Sequence, residues 1–221
     1  MRKKLFSMLL SVAMVLSIIT SLPLAASAAP VFFDDFESYD ENAYPSSFTL
    51  QYNGTGTANQ KVMTTTGYQG EDSKVFRLQG AHYWSSEQYV SLSSELPDIL
   101  IADAWIKPVS GVWPGEISFR NLGVGPWGTR YAAVWFSDSG NILAVQNGND
   151  GDTVDIGDYT MGQWCQITLR ADLLLKTFDV YINGVKAAEN LPTHPSIAPT
   201  TLSLIAGNIG TNEIYFDEVG L

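Results

Sequence analysis

Four carboxylates in this 221-residue chain stand where strands and tight turns could bring them together. Asp35 and Glu37 lie near the start, Asp72 in the turn Gly70-Glu71-Asp72-Ser73, and Asp217 near the end. Asp is disfavoured inside strands, so its presence in strand-like sequence at both ends needs a reason. Hard oxygen ligands drawn from segments distant in sequence suit Ca²⁺. If the terminal segments pair, Asp35, Glu37 and Asp217 converge, and Asp72 or a carbonyl of its turn completes the set. Asp217 is the first candidate ligand. The other reading is a set of exposed edge charges that discourages sheet-to-sheet aggregation.

A second constellation mixes polar and aromatic side chains. On the middle strands one parity gives Glu116, Ser118 and Arg120, then Tyr131 and Trp135, then Gln146 if alternation holds. Arg77 and Gln79 share a parity on their own strand, and Trp84, Trp113 and Trp127 lie in or beside Gly/Pro-rich or polar segments. Rings that meet apolar C–H faces, beside groups that read hydroxyls, are the physical equipment for sugars. The candidate substrate-binding set is therefore Arg77, Trp84, Glu116, Arg120, Tyr131, Trp135 and Gln146. A solvated face with ordinary core aromatics is the competing reading.

Other signatures are missing or weak. The chain has no G-x-S-x-G elbow, no H-E-x-x-H and no P-loop. The acidic stretch Asn147–Asp158 lacks the order of an EF-hand and reads as a solvated loop. Of the two histidines, His194 falls in a loop before Pro195 and reads as exposed, and His82 has a structural or a cleft-facing role open to it. Cys165 is the sole cysteine. It has no disulfide partner within the chain and sits on an apolar strand face, where packing is its role.

The elements that must position these groups are strands. Arg2, Lys3 and Lys4, the apolar run from Leu5 to Leu22 and the small residues Ala26-Ser27-Ala28 predict a signal peptide over residues 1–28. Cleavage would leave one domain over 29–221 and an extracellular protein with no membrane attachment. The net charge of −11 then becomes −14, since the three charges lost are all basic. Such acidity disfavours nucleic acid and anionic membranes as partners, and acidic polysaccharides too unless a local basic groove overrides it.

After the leader no helical periodicity appears. Gly162–Val185 nearly draws its own hairpin: Cys165, Ile167 and Leu169 alternate with Trp164, Gln166, Thr168 and Arg170. Phe178, Val180 and Ile182 then alternate with Asp179, Tyr181 and Asn183, and Asn183-Gly184 supplies a tight turn into Val185–Ala188. Similar runs lie near Val31–Glu37, Phe48–Tyr52, Lys61–Thr64, Lys74–Gln79, Gln88–Leu92 and Ile99–Pro108. Others follow near Glu116–Leu122, Tyr131–Ser137, Asn141–Gln146, Thr201–Ala206 and Glu213–Val219. Many short strands with regular turn signals predict an all-β, two-sheet antiparallel β-sandwich.

Four motifs, in order along the chain, carry a resemblance. They are Phe33-Asp34-Asp35-Phe36-Glu37, Asp103-Ala104-Trp105-Ile106-Lys107-Pro108, the hairpin ending in Tyr181-Ile182-Asn183-Gly184-Val185, and Ile214-Tyr215-Phe216-Asp217-Glu218-Val219. Together they resemble the laminin-G-like, concanavalin A-like jelly-roll domains of secreted bacterial proteins, across almost all of residues 29–221. The resemblance implies a structural calcium beside the closing Asp217, a glycan-facing concave sheet, and core positions for Trp105 and Trp164. Glucanases of that superfamily carry an E-x-D-x-x-E pair on one strand, which Glu116 lacks, and the Q-I-H motif of similar alginate lyases is also missing. The sequence therefore points to a secreted carbohydrate-binding jelly roll, calcium-stabilised, with an oligosaccharide or polysaccharide as partner. Two alternatives stay open: a divergent polysaccharide hydrolase or lyase, and a cell-surface module with a protein partner.

Overall fold

The hairpin forms as its alternation requires. Cys165–Asp172 pairs antiparallel with Thr177–Ile182, with Leu169 opposite Val180 and Ile167 opposite Ile182. Cys165, Ile167 and Leu169 are buried, while Gln166, Thr168 and Arg170 point outward. Asn183 and Gly184, with φ of 50° and 76°, turn the chain back, a left-handed conformation that Gly adopts freely and Asn tolerates.

This computed structural model describes residues 31–125 and 127–221, and the expected leader over residues 1–28 lies outside them. In chain order the strands are β1 (Phe33–Asp34), β2 (Thr49–Asn53), β3 (Lys61–Thr66), β4 (Asp72–Gly80) and β5 (Ser86–Ser91). There follow β6 (Ile99–Ser110), β7 (Gly115–Asn121), β8 (Thr129–Phe136), β9 (Asn141–Val145) and β10 (Thr153–Asp158). The last are β11 (Cys165–Asp172), β12 (Thr177–Ile182), β13 (Val185–Pro192), β14 (Thr201–Ala206) and β15 (Asn212–Gly220). One 3-10 turn, Thr57–Asn59, accompanies them.

Two antiparallel sheets result. The first runs β13-β12-β11-β6-β15-β4-β3, with β1 also paired to β15; the second runs β10-β9-β8-β7-β14-β5-β2. Between them lies a core of alternating side chains: Phe76, Ile106, Ile167, Leu169, Ile214 and Phe216 from one sheet, Ile117, Phe119, Val134, Phe136, Leu202 and Leu204 from the other. Each such buried side chain contributes about 1.5–3 kcal/mol. Cys165 belongs to this core, and burial pushes its thiol up to about 12, which leaves it unreactive at neutral pH.

Three expectations are corrected. Thr153–Asp158 is a strand at the edge of the second sheet, paired to β9, instead of a solvated loop. Its exposed side chains hid a backbone that is nonetheless bonded on one side. Trp105 and Trp164 are half-buried on the outer face of the first sheet, outside the core. Ala104 and Ile106 point inward on β6, so Trp105 between them must point out, where it stacks on Tyr68 at 4.2 Å. Trp164 lies beneath Lys107. Local alternation overrides the family expectation at both positions.

Candidate functional site

A row of side chains crosses the outer face of the second sheet. Tyr52 on β2 opposes Glu87 on β5, Glu87 opposes Ile205 on β14, Ile205 opposes Glu116 on β7, and Glu116 opposes Trp135 on β8. Residues directly opposite in an antiparallel ladder share a face, while neighbours such as Leu204, Ile117 and Val134 enter the core. Two glutamates thus flank Ile205 beneath the surface, at the same level of the sheet.

Each glutamate has an arginine. Glu116 is wholly enclosed, and both its oxygens accept from Arg130 Nε at 2.9 Å, with Nη2 at 2.8 Å from Oε2. Burial alone would raise its carboxyl, but Arg130 and Arg120 together hold it below the usual range. Glu87 Oε2 lies 3.3 Å from Arg120 Nη1. Here burial wins, pushing the Glu87 carboxyl up against the pull of Arg120. Environment therefore drives two acids of one row in opposite directions.

Above this floor opens a groove of about 420 Å³, lined by Glu87, Arg120, Arg130, Ile205 and Asp150 and walled by aromatic rings. Tyr83, Trp127 and Trp84 are 80%, 62% and 48% exposed. Tyr52 sits between the two tryptophans, with ring centroids 6.4 Å from Trp84 and 5.9 Å from Trp127. Trp84 is held by a hydrogen bond from its Nε1 to Asn53 Oδ1 at 3.0 Å. Arg120 Nη2 donates to the Trp127 carbonyl at 2.8 Å, so the floor fixes the loop that presents this ring. On the other wall Trp113 contacts Trp135 at 5.4 Å, and Arg130 lies 4.8 Å over the Trp135 ring.

The seven candidate residues of the sequence divide. Trp84 and Arg120 line the groove. Glu116 and Trp135 lie behind it and position Arg130. Tyr131 is buried in the core, a correction caused by a bulge: Phe119 opposes Ala132 but Arg120 opposes Arg130. The extra residue breaks the alternation, and Arg130 takes the outward place that Tyr131 would have had. Arg77 belongs to the other sheet, where it pairs with Glu213 at 3.1 Å. Gln146 starts the turn from β9 to β10, its N–H bonded to the Asp152 carbonyl, and does not line the groove. Glu87 and Arg130 escaped the sequence reading because each lies one residue before a strand start placed at Gln88 or Tyr131. The histidines stand apart: His82 is exposed, with Nδ1 accepting from the Gly210 N–H, and His194 is half-buried, not exposed.

The four acidic candidates border one surface depression. β1 pairs with the end of β15, Asp34 opposite Val219, and the turn between β3 and β4 closes over them. Asp35, Glu37, Asp72 and Asp217 line one depression of about 240 Å³ with Tyr68 and Glu218. Glu37 Oε1 accepts from Ser73 Oγ and the Lys74 N–H, and Asp217 Oδ2 accepts from the same hydroxyl at 3.1 Å. Burial, with Glu218 and Glu37 nearby, pushes the Asp217 carboxyl up to about 7. The donor chemistry is all oxygen and suits a hard cation. Among the described residues, however, no three acidic, histidine or cysteine side chains converge as an ion cage. A Ca²⁺ here would complete its shell with carbonyls and water.

No protein-family model matches the sequence, and no curated protein matches it. Solved structures do. The metal-free carbohydrate recognition domain of Emp46p aligns with a TM-score of 0.53 at 10% identity, over 85% of this chain and 93% of that one. A β-glucanase of Bacillus licheniformis aligns with a TM-score of 0.51 at 12% identity, over 87% and 98%. The fold is the concanavalin A-like jelly roll of lectins and glucanases. A sialidase also aligns, with a TM-score of 0.54 at 8% identity, over 81% of this jelly roll but 19% of that chain. At these identities the likeness shows the jelly roll alone, and function has to be argued from the groove.

Proposed function

We propose that this jelly roll binds a saccharide in the groove above Glu87, Arg120 and Arg130. The observation that carries the reading is the ring of exposed aromatics, Tyr83, Trp84 and Trp127, held around a rigid polar floor. Exposed rings this large are otherwise costly on a soluble surface, and stacking on sugar C–H faces gives them a use. A carbohydrate recognition domain and a β-glucanase share the fold, which supports a carbohydrate ligand. The tests are a glycan array, then titration of the strongest hit with a reducing-end assay on the same sample. Saturable binding without new reducing ends is expected; an array with no signal would overturn the proposal.

Hydrolysis is the second reading, and one observation favours it: the carboxyls of Glu87 and Glu116 are driven apart, the pattern of an acid and a base. Against it, Glu116 is enclosed and both its oxygens are taken by Arg130, whereas a nucleophile or base must reach the sugar or its water. Binding is therefore preferred.

Two further elements belong to the proposal. Asp217, with Asp35, Glu37 and Asp72, is the set that would hold a structural Ca²⁺ and tie β1, β15 and the β3–β4 turn together. Export after loss of residues 1–28 rests on the leader-like sequence, and N-terminal sequencing of protein from the growth medium tests it.

A further inference from the structure

We infer that the groove takes an uncharged saccharide and excludes uronate chains. This rests on the saccharide reading and narrows it. Among the residues lining the groove only Glu87, Arg120, Arg130 and Asp150 carry charge, and none of the positive charge is free. Arg130 gives Nε and Nη2 to Glu116 and Nη1 to Asp150 at 2.6 Å, while its plane covers the Trp135 ring. Arg120 gives Nη1 to Glu87 and Nη2 to the Trp127 carbonyl, and its Nε is closed off from solvent. No guanidinium is left to grip a sugar carboxylate in the bidentate way that favours such pairs.

The charge balance points the same way. Two arginines face three carboxylates, Glu87, Glu116 and Asp150, so the floor holds no net positive charge. Asp150 stands at the mouth with its side chain 66% exposed, where an entering carboxylate meets it first. The chain as a whole carries −11. What remains to meet a ligand is uncharged: the aromatic rings, Ser85, Thr129 and Asn208. The local basic patch that could offset the acidic surface is thus already neutralised within the fold.

The test compares two panels on the full chain by calorimetry: hexasaccharides of β-linked glucose, mannose and xylose, and oligomers of mannuronate and galacturonate. At least one neutral oligomer should bind roughly tenfold or more tighter than every uronate, since like charges brought together at an interface are strongly disfavoured. Uronates that bind as well or better overturn the inference and leave the saccharide reading standing. If neither panel binds, both fall. Asp150→Asn, at an exposed position, provides a second readout. It should narrow the ratio of neutral to uronate affinity severalfold, because it removes the charge at the mouth and frees Arg130 Nη1. An unchanged ratio overturns the charge argument.

Discussion

Glu116 and Arg130 form a buried ion pair whose carboxylate is wholly enclosed, and its energetics are asymmetric. Removing one partner strands a charge in a place water cannot reach. Arg130→Met should therefore cost about 3–5 kcal/mol in denaturant unfolding, whereas Arg130→Met combined with Glu116→Leu should recover most of that loss. Equal losses in the single and double variants would show that shape, not charge, is at stake. Asp217 tests the acidic pocket at the same scale. Its carboxyl is raised to about 7 in the fold from 3.8, so between those values the folded chain holds more protons than the unfolded one. Its contribution to stability is present below about pH 4 and is lost as pH rises through about 7, on the order of 2–4 kcal/mol in chelator. Asp217→Asn should remove that slope, measured as the difference between the two pH profiles. In excess Ca²⁺ the wild-type melting temperature should rise at neutral pH and that of Asp217→Asn should not. A wild-type melting curve indifferent to both chelator and Ca²⁺ ends the calcium proposal.

Strand ends, bulges and close approaches decide which side chains reach the groove. Gly207, just after β14, shows how tightly. A Cβ there would lie 2.2 Å from the Trp113 carbonyl and 2.6 Å from its ring. Gly207→Ala should displace Trp113, cost about 1–3 kcal/mol of stability and weaken glycan binding in titration. Full stability would show that Trp113 yields to the added methyl without cost. The same scale explains what was legible in the sequence. Period-two alternation revealed the hairpin of β11 and β12 and the outward row of Glu116, Ser118 and Arg120 on β7, whereas the gathering of Asp35, Glu37, Asp72 and Asp217 was conditional on the terminal segments pairing, which alternation within a strand does not decide. It could not reveal the bulge that exchanges Tyr131 for Arg130, because a bulge depends on the partner strand and leaves no mark in composition. Nor could it assign Arg77 to a sheet, since parity fixes a face within a strand and not which sheet the strand joins. Strand starts set one residue late hid both Glu87 and Arg130.

At the scale of the molecule, the two sheets present different outer faces. The second carries the groove; the first carries Trp105 stacked on Tyr68 and Trp164 under Lys107, aromatics that brace strands and stay half-buried. Binding should therefore depend on which sheet carries the ring and not on aromatic content in general. The decisive measurement is calorimetric titration of the best array glycan against Trp84→Ala, Trp127→Ala and Trp105→Ala, with melting temperatures taken on the same samples. Trp84→Ala and Trp127→Ala should each lose about 1–3 kcal/mol of binding, as single anchors do, with little change in melting. Trp105→Ala should melt earlier and bind as the wild type does. Loss of binding in Trp105→Ala alone, or full affinity in both groove variants, would contradict the assignment of the groove as the saccharide site.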